Sequence, residues 1–400
     1  MSDGNRRPAC IAVLGSTGSV GRQTLEVAEF LGIRVETISG CRNVSLLEEQ
    51  IRKFRPRICA VADENAARDL RMSVRDTATE ILSGSEGVTE AARSTEADIV
   101  CNSVTGTAGL FPTLAAIEAG KHVALSNKET IVTAGEYVMC RAHTYGVRIL
   151  PVDSEHSAIF QCLRAGKQEQ IERLLLTCSG GPFYGRKRED LALVTPKEAL
   201  AHPTWNMGPK ITVDCGTLMN KGLELIEAVH LFGVPPEKVE VLIHRESIVH
   251  SLAEFSDRAV IAQLSVPDMR LCIQYALTYP ERCPSLLKPL DLTKIGCLTF
   301  AEPDTEAFPL LKLARRAASA GGVLPAVLNG ANEAAVSLFL EGKILFTEIS
   351  DAVGEVVCGW RSESGVRCLE DILEADRLSR ERLNDLCGAR ADSRRNSVPD

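Results

Sequence analysis

Pro151-Val152-Asp153-Ser154-Glu155-His156 directly follows the strand-like run Val147-Arg148-Ile149-Leu150. Two carboxylates two residues apart on extended chain point to one side. Just past a strand's end they can share one hard divalent cation such as Mg2+ or Mn2+, which prefers oxygen ligands. A solvated turn or a helix N-cap would use the same residues, so the metal reading needs a third carboxylate. Glu224, in Met219-Asn220-Lys221-Gly222-Leu223-Glu224, is the candidate. Asn220 and Glu224 stand four apart and share a helical face, which can present a phosphate partner beside a metal ligand. Surface helix polarity would explain any one of these residues alone.

A second constellation is Gly15-Ser16-Thr17-Gly18-Ser19-Val20-Gly21, between the apolar run Ala9–Leu14 and an amphipathic segment from Gln23. A strand, a glycine-rich turn and a helix in that order make a dinucleotide fingerprint, with the pyrophosphate at the helix N-terminus. An NAD site would place a carboxylate at the end of the second strand. Here that turn reads Ser39-Gly40-Cys41-Arg42-Asn43, and Arg42 suits a 2′-phosphate, so NADP is favoured over NAD. Two further polar groups stand where ligands are expected. Asn127-Lys128-Glu129 follows the strand-like His122–Ser126, and His202-Pro203-Thr204-Trp205-Asn206-Met207-Gly208-Pro209-Lys210 sets one of only two tryptophans in a polar loop.

The elements that must position these groups follow from the pattern. Strand-like runs alternate with helical ones through the first 150 residues, which implies βαβ units and a mostly parallel sheet. Residues 151–280 mix strands with a Gly/Pro-rich stretch over 179–209; 281–303 reads as a proline-marked linker, 304–388 as a small helical domain and 389–400 as a disordered tail. The chain has 400 residues and a net charge of 45 − 53 = −8, which argues against a general nucleic-acid binder. It has no apolar stretch long enough to span a membrane and no secretory leader, so a cytosolic protein is expected. The 14 cysteines show neither C-x-x-C pairs nor zinc spacing, and read as reduced thiols, mostly buried.

Taken in order, G-S-T-G-S-V-G, A-L-S-N-K-E-T, L-P-V-D-S-E-H-S-A-I-F-Q, C-S-G-G-P-F, H-P-T-W-N-M-G-P-K and M-N-K-G-L-E-L-I-E-A resemble the 1-deoxy-D-xylulose 5-phosphate reductoisomerases. V-P-D-M-R at 266–270 and N-G-A-N-E-A-A-V at 329–336 extend the resemblance. It implies an α/β chain: an N-terminal Rossmann-like NADPH domain, an α+β catalytic domain whose mobile lid covers 179–209, and a C-terminal helical domain. The implied reaction rearranges and reduces 1-deoxy-D-xylulose 5-phosphate, a phosphorylated keto-sugar, to 2-C-methyl-D-erythritol 4-phosphate in non-mevalonate isoprenoid synthesis. By the same resemblance, Asp153, Glu155 and Glu224 hold Mg2+ or Mn2+, with Co2+ as an alternative. Lys128, Ser154 and His202 contact substrate, with Lys128 and His202 catalytic. Ser179, Cys215, Asn220 and Lys221 form the phosphate pocket, and Trp205 and Met207 belong to the lid. Thr17, Gly18, Ser19, Val20, Cys41, Arg42, Asn43, Asn127, Glu129 and Gly208 are cofactor positions. A homodimer, free of membrane and nucleic acid, is the implied assembly.

The chain departs from the family's pattern at Cys215, where a serine is usual, and at Cys178, where glycine is usual. His244-Arg245-Glu246-Ser247 also replaces H-P-Q-S. A thiol is a weak donor, so Cys215 predicts a weaker phosphate contact. Two other readings compete: a semialdehyde-type dehydrogenase, which needs a cysteine nucleophile, and a catalytically weakened NADP-binding regulatory homologue. Intact metal carboxylates speak against the last.

Overall fold

The computed structural model describes residues 8–201, 207–361 and 368–396, with side chains as far as residue 389. The chain forms two compact units. The first takes the chain to Thr130, Glu136–Gln161 and Ser265–Asp291; the second takes Ile131–Gly135, Cys162–Leu264 and everything from Leu292 on.

The first unit is built on strands β1 (Cys10–Leu14), β2 (Arg34–Gly40), β3 (Ile58–Val61), β4 (Glu80–Ser83), β5 (Ile99–Asn102), β6 (His122–Leu125) and β7 (Ile149–Pro151). They form a seven-stranded sheet in the order β4-β3-β2-β1-β5-β6-β7, parallel throughout. Helices α1 (Ser19–Leu31), α2 (Val44–Phe54), α3 (Glu64–Ser73), α4 (Gly84–Ser94), α5 (Leu110–Glu118), α6 (Lys128–Thr144) and α7 (Ser154–Cys162) follow the strands in turn. All five residues of β1 are buried, as expected for a central parallel strand covered on both faces. The strand order reverses between β1 and β5, and ligands bind beyond the carboxyl ends of strands at such a switch point. The sequence reading passes over β4, because this edge strand, Glu80-Ile81-Leu82-Ser83, offers only a short, half-buried apolar signal.

The first unit also reaches beyond residues 1–150. Helix α11 (Arg270–Thr278) buries Ile273, Ala276 and Leu277 in the same apolar cluster as Ile11, Val13, Leu25 and Val27. The V-P-D-M-R segment therefore leads into a helix of the dinucleotide unit, inside the 151–280 span expected to be catalytic. Local periodicity shows that such a helix has an apolar face but not which sheet receives it.

The second unit holds β8 (Ile171–Cys178), β9 (Val239–Ile243), β10 (Val249–Phe255) and β11 (Val260–Leu264) in a four-stranded sheet, order β11-β10-β8-β9. β8 and β9 are parallel, and β10 runs antiparallel to both β8 and β11. Its helices are α8 (Pro196–Ala199), α9 (Pro209–Gly216), α10 (Met219–Phe232), α12 (Leu292–Ile295), α13 (Leu310–Ala320), α14 (Leu324–Leu340), α15 (Phe346–Cys358) and α16 (Leu369–Asn396). Leu310, Leu311, Ala314 and Ala317 line the buried side of α13, the spacing of an amphipathic helix. α16 continues to Asn396, past the boundary at 388 where the sequence reading expects disorder to begin. Ala389–Asn396 contains no glycine or proline to stop it. Among the described residues no helix is long and apolar enough to cross a membrane.

Candidate active site

In the first unit the glycine turn joins β1 to α1, with Gly18 as N-cap and its N–H donating to the Gly15 carbonyl at 3.0 Å. A Cβ on Gly21 would lie 2.2 Å from the Gly15 carbonyl oxygen, so only glycine lets α1 start this close to the turn. Thr17, Gly18, Ser19 and Val20 thus border the positive end of a helix with no acidic residue in its first turn, which favours an anion there. At the end of β2, Asn43 caps α2 by accepting from the Leu46 N–H, and Cys41 is exposed. Arg42 is largely exposed and pairs with Asp63 at 3.1 Å. The Ala66 N–H, then Arg42, hold the Asp63 carboxyl below its usual range. Arg42 therefore has a fixed anchor, an acid the sequence reading did not single out because it lies at the end of β3.

The ends of β5 and β6 add a small cleft lined by Val20, Cys101, Ser103, Ser126, Val152 and Ile273. Next to it Asn127 caps α6. Its side-chain oxygen accepts from the Thr130 N–H at 2.9 Å, and its nitrogen donates to the carbonyls of Val104 and Gly106 at 2.6 and 2.8 Å. Asn127 also donates to Glu129 at 3.2 Å. Lys128, buried at 6% exposure, lies 3.1 Å from Asp153.

Asp153 is not on extended chain with Glu155, as the spacing suggested. α7 begins at Ser154, and one Asp153 oxygen accepts from the N–H groups of Glu155 and His156 at 3.0 and 3.3 Å. Asp153 is thus a helix cap as well as a candidate ligand. Its other oxygen meets Lys128, while Ser154 donates to Glu155 at 2.5 Å. His156, fully buried, places Nδ1 3.1 Å from Asp153. It belongs to this cluster although it was quoted only as part of the D-S-E-H motif.

In the second unit α10 carries Asn220, Lys221 and Glu224, all buried, with Glu224 at 1% exposure. Both Asn220 and Lys221 donate to Glu224, so the shared face read from the spacing is present. The loop after β8 places Ser179 beside two glycines, and the Gly181 N–H donates to the Ser179 hydroxyl at 3.3 Å. Gly181 has φ +69°, and a Cβ there would lie 2.5 Å from the Cys215 carbonyl oxygen, so this loop is pressed onto α9. Arg245 donates to the carbonyls of Ser179 and Gly181 at 2.6 and 3.1 Å. Asp214, next to Cys215, accepts from buried Asn332 at 2.8 Å and meets Lys210 at 2.9 Å. Met207 and Gly208 lead into α9, with Gly208 as its N-cap. His202 and Trp205 lie outside the described residues.

Hard oxygen donors on Asp153, Glu155 and Glu224 suit a divalent ion such as Mg2+. Three buried thiols do not suit nucleophilic chemistry: burial pushes Cys59 and Cys101 up to about 12 and Cys162 to about 11. These three are protonated at neutral pH, so none of them is the nucleophile the dehydrogenase reading needs.

Comparison with known proteins agrees along the chain. Residues 11–135 match the family described as 1-deoxy-D-xylulose 5-phosphate reductoisomerase. Residues 149–232 match its C-terminal domain, and 264–382 the DXP reductoisomerase C-terminal domain. The curated 1-deoxy-D-xylulose 5-phosphate reductoisomerase of Symbiobacterium thermophilum is 53% identical over 93% of this chain and 97% of its own length. That of Ruminiclostridium cellulolyticum is 49% identical over 92% of this chain and 96% of its own. The Zymomonas mobilis reductoisomerase in complex with NADPH superposes with a TM-score of 0.90 at 39% identity, covering 95% of this chain and 99% of that one. A DOX-P reductoisomerase in complex with NADPH, fosmidomycin and magnesium gives 0.88 at 39% identity, covering 95% and 98%. The chain belongs to the 1-deoxy-D-xylulose 5-phosphate reductoisomerase family.

Proposed function

We propose that this chain converts 1-deoxy-D-xylulose 5-phosphate to 2-C-methyl-D-erythritol 4-phosphate with NADPH and a divalent metal, through the residues named above. The observation that carries the reading is the intact acidic set, Asp153, Glu155 and Glu224, in a chain half-identical to curated reductoisomerases.

In this reading Asp153, Glu155 and Glu224 are the metal ligands, and the cation stabilises charge that builds on the substrate's ketone and hydroxyl oxygens during rearrangement. The chain's own groups do the rest. Lys128, held against Asp153, keeps a positive charge buried beside the acidic cluster, and His156 orients that same carboxylate. Ser154 is the substrate contact next to it. Ser179, Cys215, Asn220 and Lys221 receive the phosphate, with Lys221 as its cation. The Gly15–Gly21 turn takes the NADPH pyrophosphate, Arg42 and Asn43 the adenosine end, and Asn127 and Glu129 face the cofactor. Trp205 and Met207 are the lid residues of this reading, excluding water from the reduction, and His202 is a substrate contact. Mn2+ is expected to replace Mg2+. A cytoplasmic homodimer completes the reading; β11, an edge strand with Val260 and Ile261 exposed, is a surface that pairing would cover.

The test is loss of NADPH absorbance on adding 1-deoxy-D-xylulose 5-phosphate, with Mg2+ or Mn2+ and again with excess chelator. Metal-dependent turnover is expected. No turnover by folded, NADPH-binding protein would leave the regulatory homologue as the better reading.

A further inference from the structure

The glycine turn is held from behind by a residue on another element. Gln50, on α2 and 5% exposed, directs both ends of its amide at one residue of the turn, Ser16. The Ser16 hydroxyl donates to Gln50 Oε1 at 2.6 Å, and Gln50 Nε2 donates to the Ser16 carbonyl at 2.9 Å. Ser16 itself is fully buried, and its N–H donates to the Ser39 carbonyl at 2.7 Å. Ser39 in turn accepts the Gly15 N–H on its hydroxyl at 3.0 Å. The whole cluster is neutral, and it fixes the peptide planes on either side of Ser16, three residues before α1 begins at Ser19.

We infer that Gln50 is a positioning residue for the cofactor: it pre-forms the Gly15–Gly18 turn, so NADPH binds without first ordering the loop. This rests on the reading of that turn as the pyrophosphate cradle. Ordering a loop at the moment of binding weakens affinity, and a pre-formed loop avoids that loss. One to two neutral hydrogen bonds, at roughly 1 kcal/mol each, set the expected effect at about fivefold to thirtyfold in affinity.

The experiment titrates NADPH into the full chain and measures steady-state kinetics for Gln50→Met, Ser16→Ala, the double variant and Ser19→Glu. Met matches Gln in length, so Gln50→Met removes the amide without opening a cavity. Ser16→Ala removes the hydroxyl from the other side should Gln50→Met fail to fold. Gln50→Met and Ser16→Ala are each expected to raise the Kd and KM for NADPH about fivefold, while kcat and the KM for the sugar phosphate stay within about twofold. The double variant should lose little more than the worse single one, because both break one network. A purely structural role would lower Tm without this split between the two KM values. Ser19→Glu puts a carboxylate on the exposed first residue of α1, where a pyrophosphate would sit. If Ser19→Glu leaves NADPH affinity unchanged, the cradle reading falls. If it weakens NADPH while Gln50→Met and Ser16→Ala do not, the cradle stands and the role given to Gln50 is overturned.

Discussion

The two loops proposed to bind anions, one for the cofactor and one for the phosphate, are stiffened in opposite ways. The Gly15–Gly21 turn is backed by Ser16, Ser39 and Gln50, all buried and all neutral. The Ser179–Gly181 loop is braced from outside by Arg245, an exposed cation on two backbone carbonyls, and rests against the Cys215 carbonyl. Buried neutral hydrogen bonds do not respond to salt, and unmaking one leaves a partner unsatisfied. An exposed charged brace is screened and contributes less. The proposed cofactor loop is therefore a fixed part of the turn that leaves a central parallel strand, whereas the proposed phosphate loop is held by a contact that solvent can compete for.

The largest expected effect lies outside both loops and sets the scale for them. Glu224→Gln keeps the size of the side chain and its contact with Asn220 but removes a charge from the acidic set. Turnover should fall about a thousandfold, the order seen when one main charge-stabilising group is removed from an active site. NADPH affinity should hold, since nothing in the cofactor turn changes. Steady-state kinetics with a parallel NADPH titration checks this, and joint loss of both would show that the cofactor loop is not independent of α10.

Next in size is the brace. Arg245→Met should raise the KM for the sugar phosphate about fivefold at low salt, with kcat little changed. The ratio of variant to wild type should shrink as salt is raised to about 0.5 M, where the Debye length is a few ångströms. The corresponding ratio for Gln50→Met and NADPH should stay flat. If both ratios respond to salt alike, the contrast between a neutral and a charged support is lost.

The features legible in the sequence are those carried by local pattern. Strand, glycine turn and helix at residues 9–31 show in the order of apolar and small residues, and Asn220 with Glu224 shows in a four-residue spacing. The sequence reading missed groups whose partners come from elsewhere in the chain. Gln50 is an unremarkable polar residue in an amphipathic helix until α2 packs behind Ser16, and Asp63 meets Arg42 only because β3 lies beside β2 in the sheet. Asp153 shows a different limit: its type and position were legible, but its backbone was read as extended, because a carboxylate past a strand's end looks the same whether or not a helix begins at the next residue. α11 was legible as chain but not as a member of the first unit, for its buried face is defined by a sheet more than a hundred residues earlier.

The smallest effect tests the proposed phosphate loop at Cys215, where the resemblance read from the sequence leads one to expect a serine. Cys215 is half-buried on α9, and its carbonyl is the atom against which Gly181 packs. Cys215→Ser exchanges sulfur for oxygen and leaves that backbone contact in place. A hydroxyl donates a stronger hydrogen bond than a thiol, so the substitution should lower the KM for the sugar phosphate about threefold, somewhat under 1 kcal/mol, without altering kcat. Combined with Arg245→Met, the gain should shrink, because a loop freed from its brace presents Ser179 and residue 215 to the phosphate less often together. A gain of equal size in both backgrounds would mean that Arg245 does not govern the loop's placement. No gain in either would mean that the side chain at 215 does not reach the phosphate.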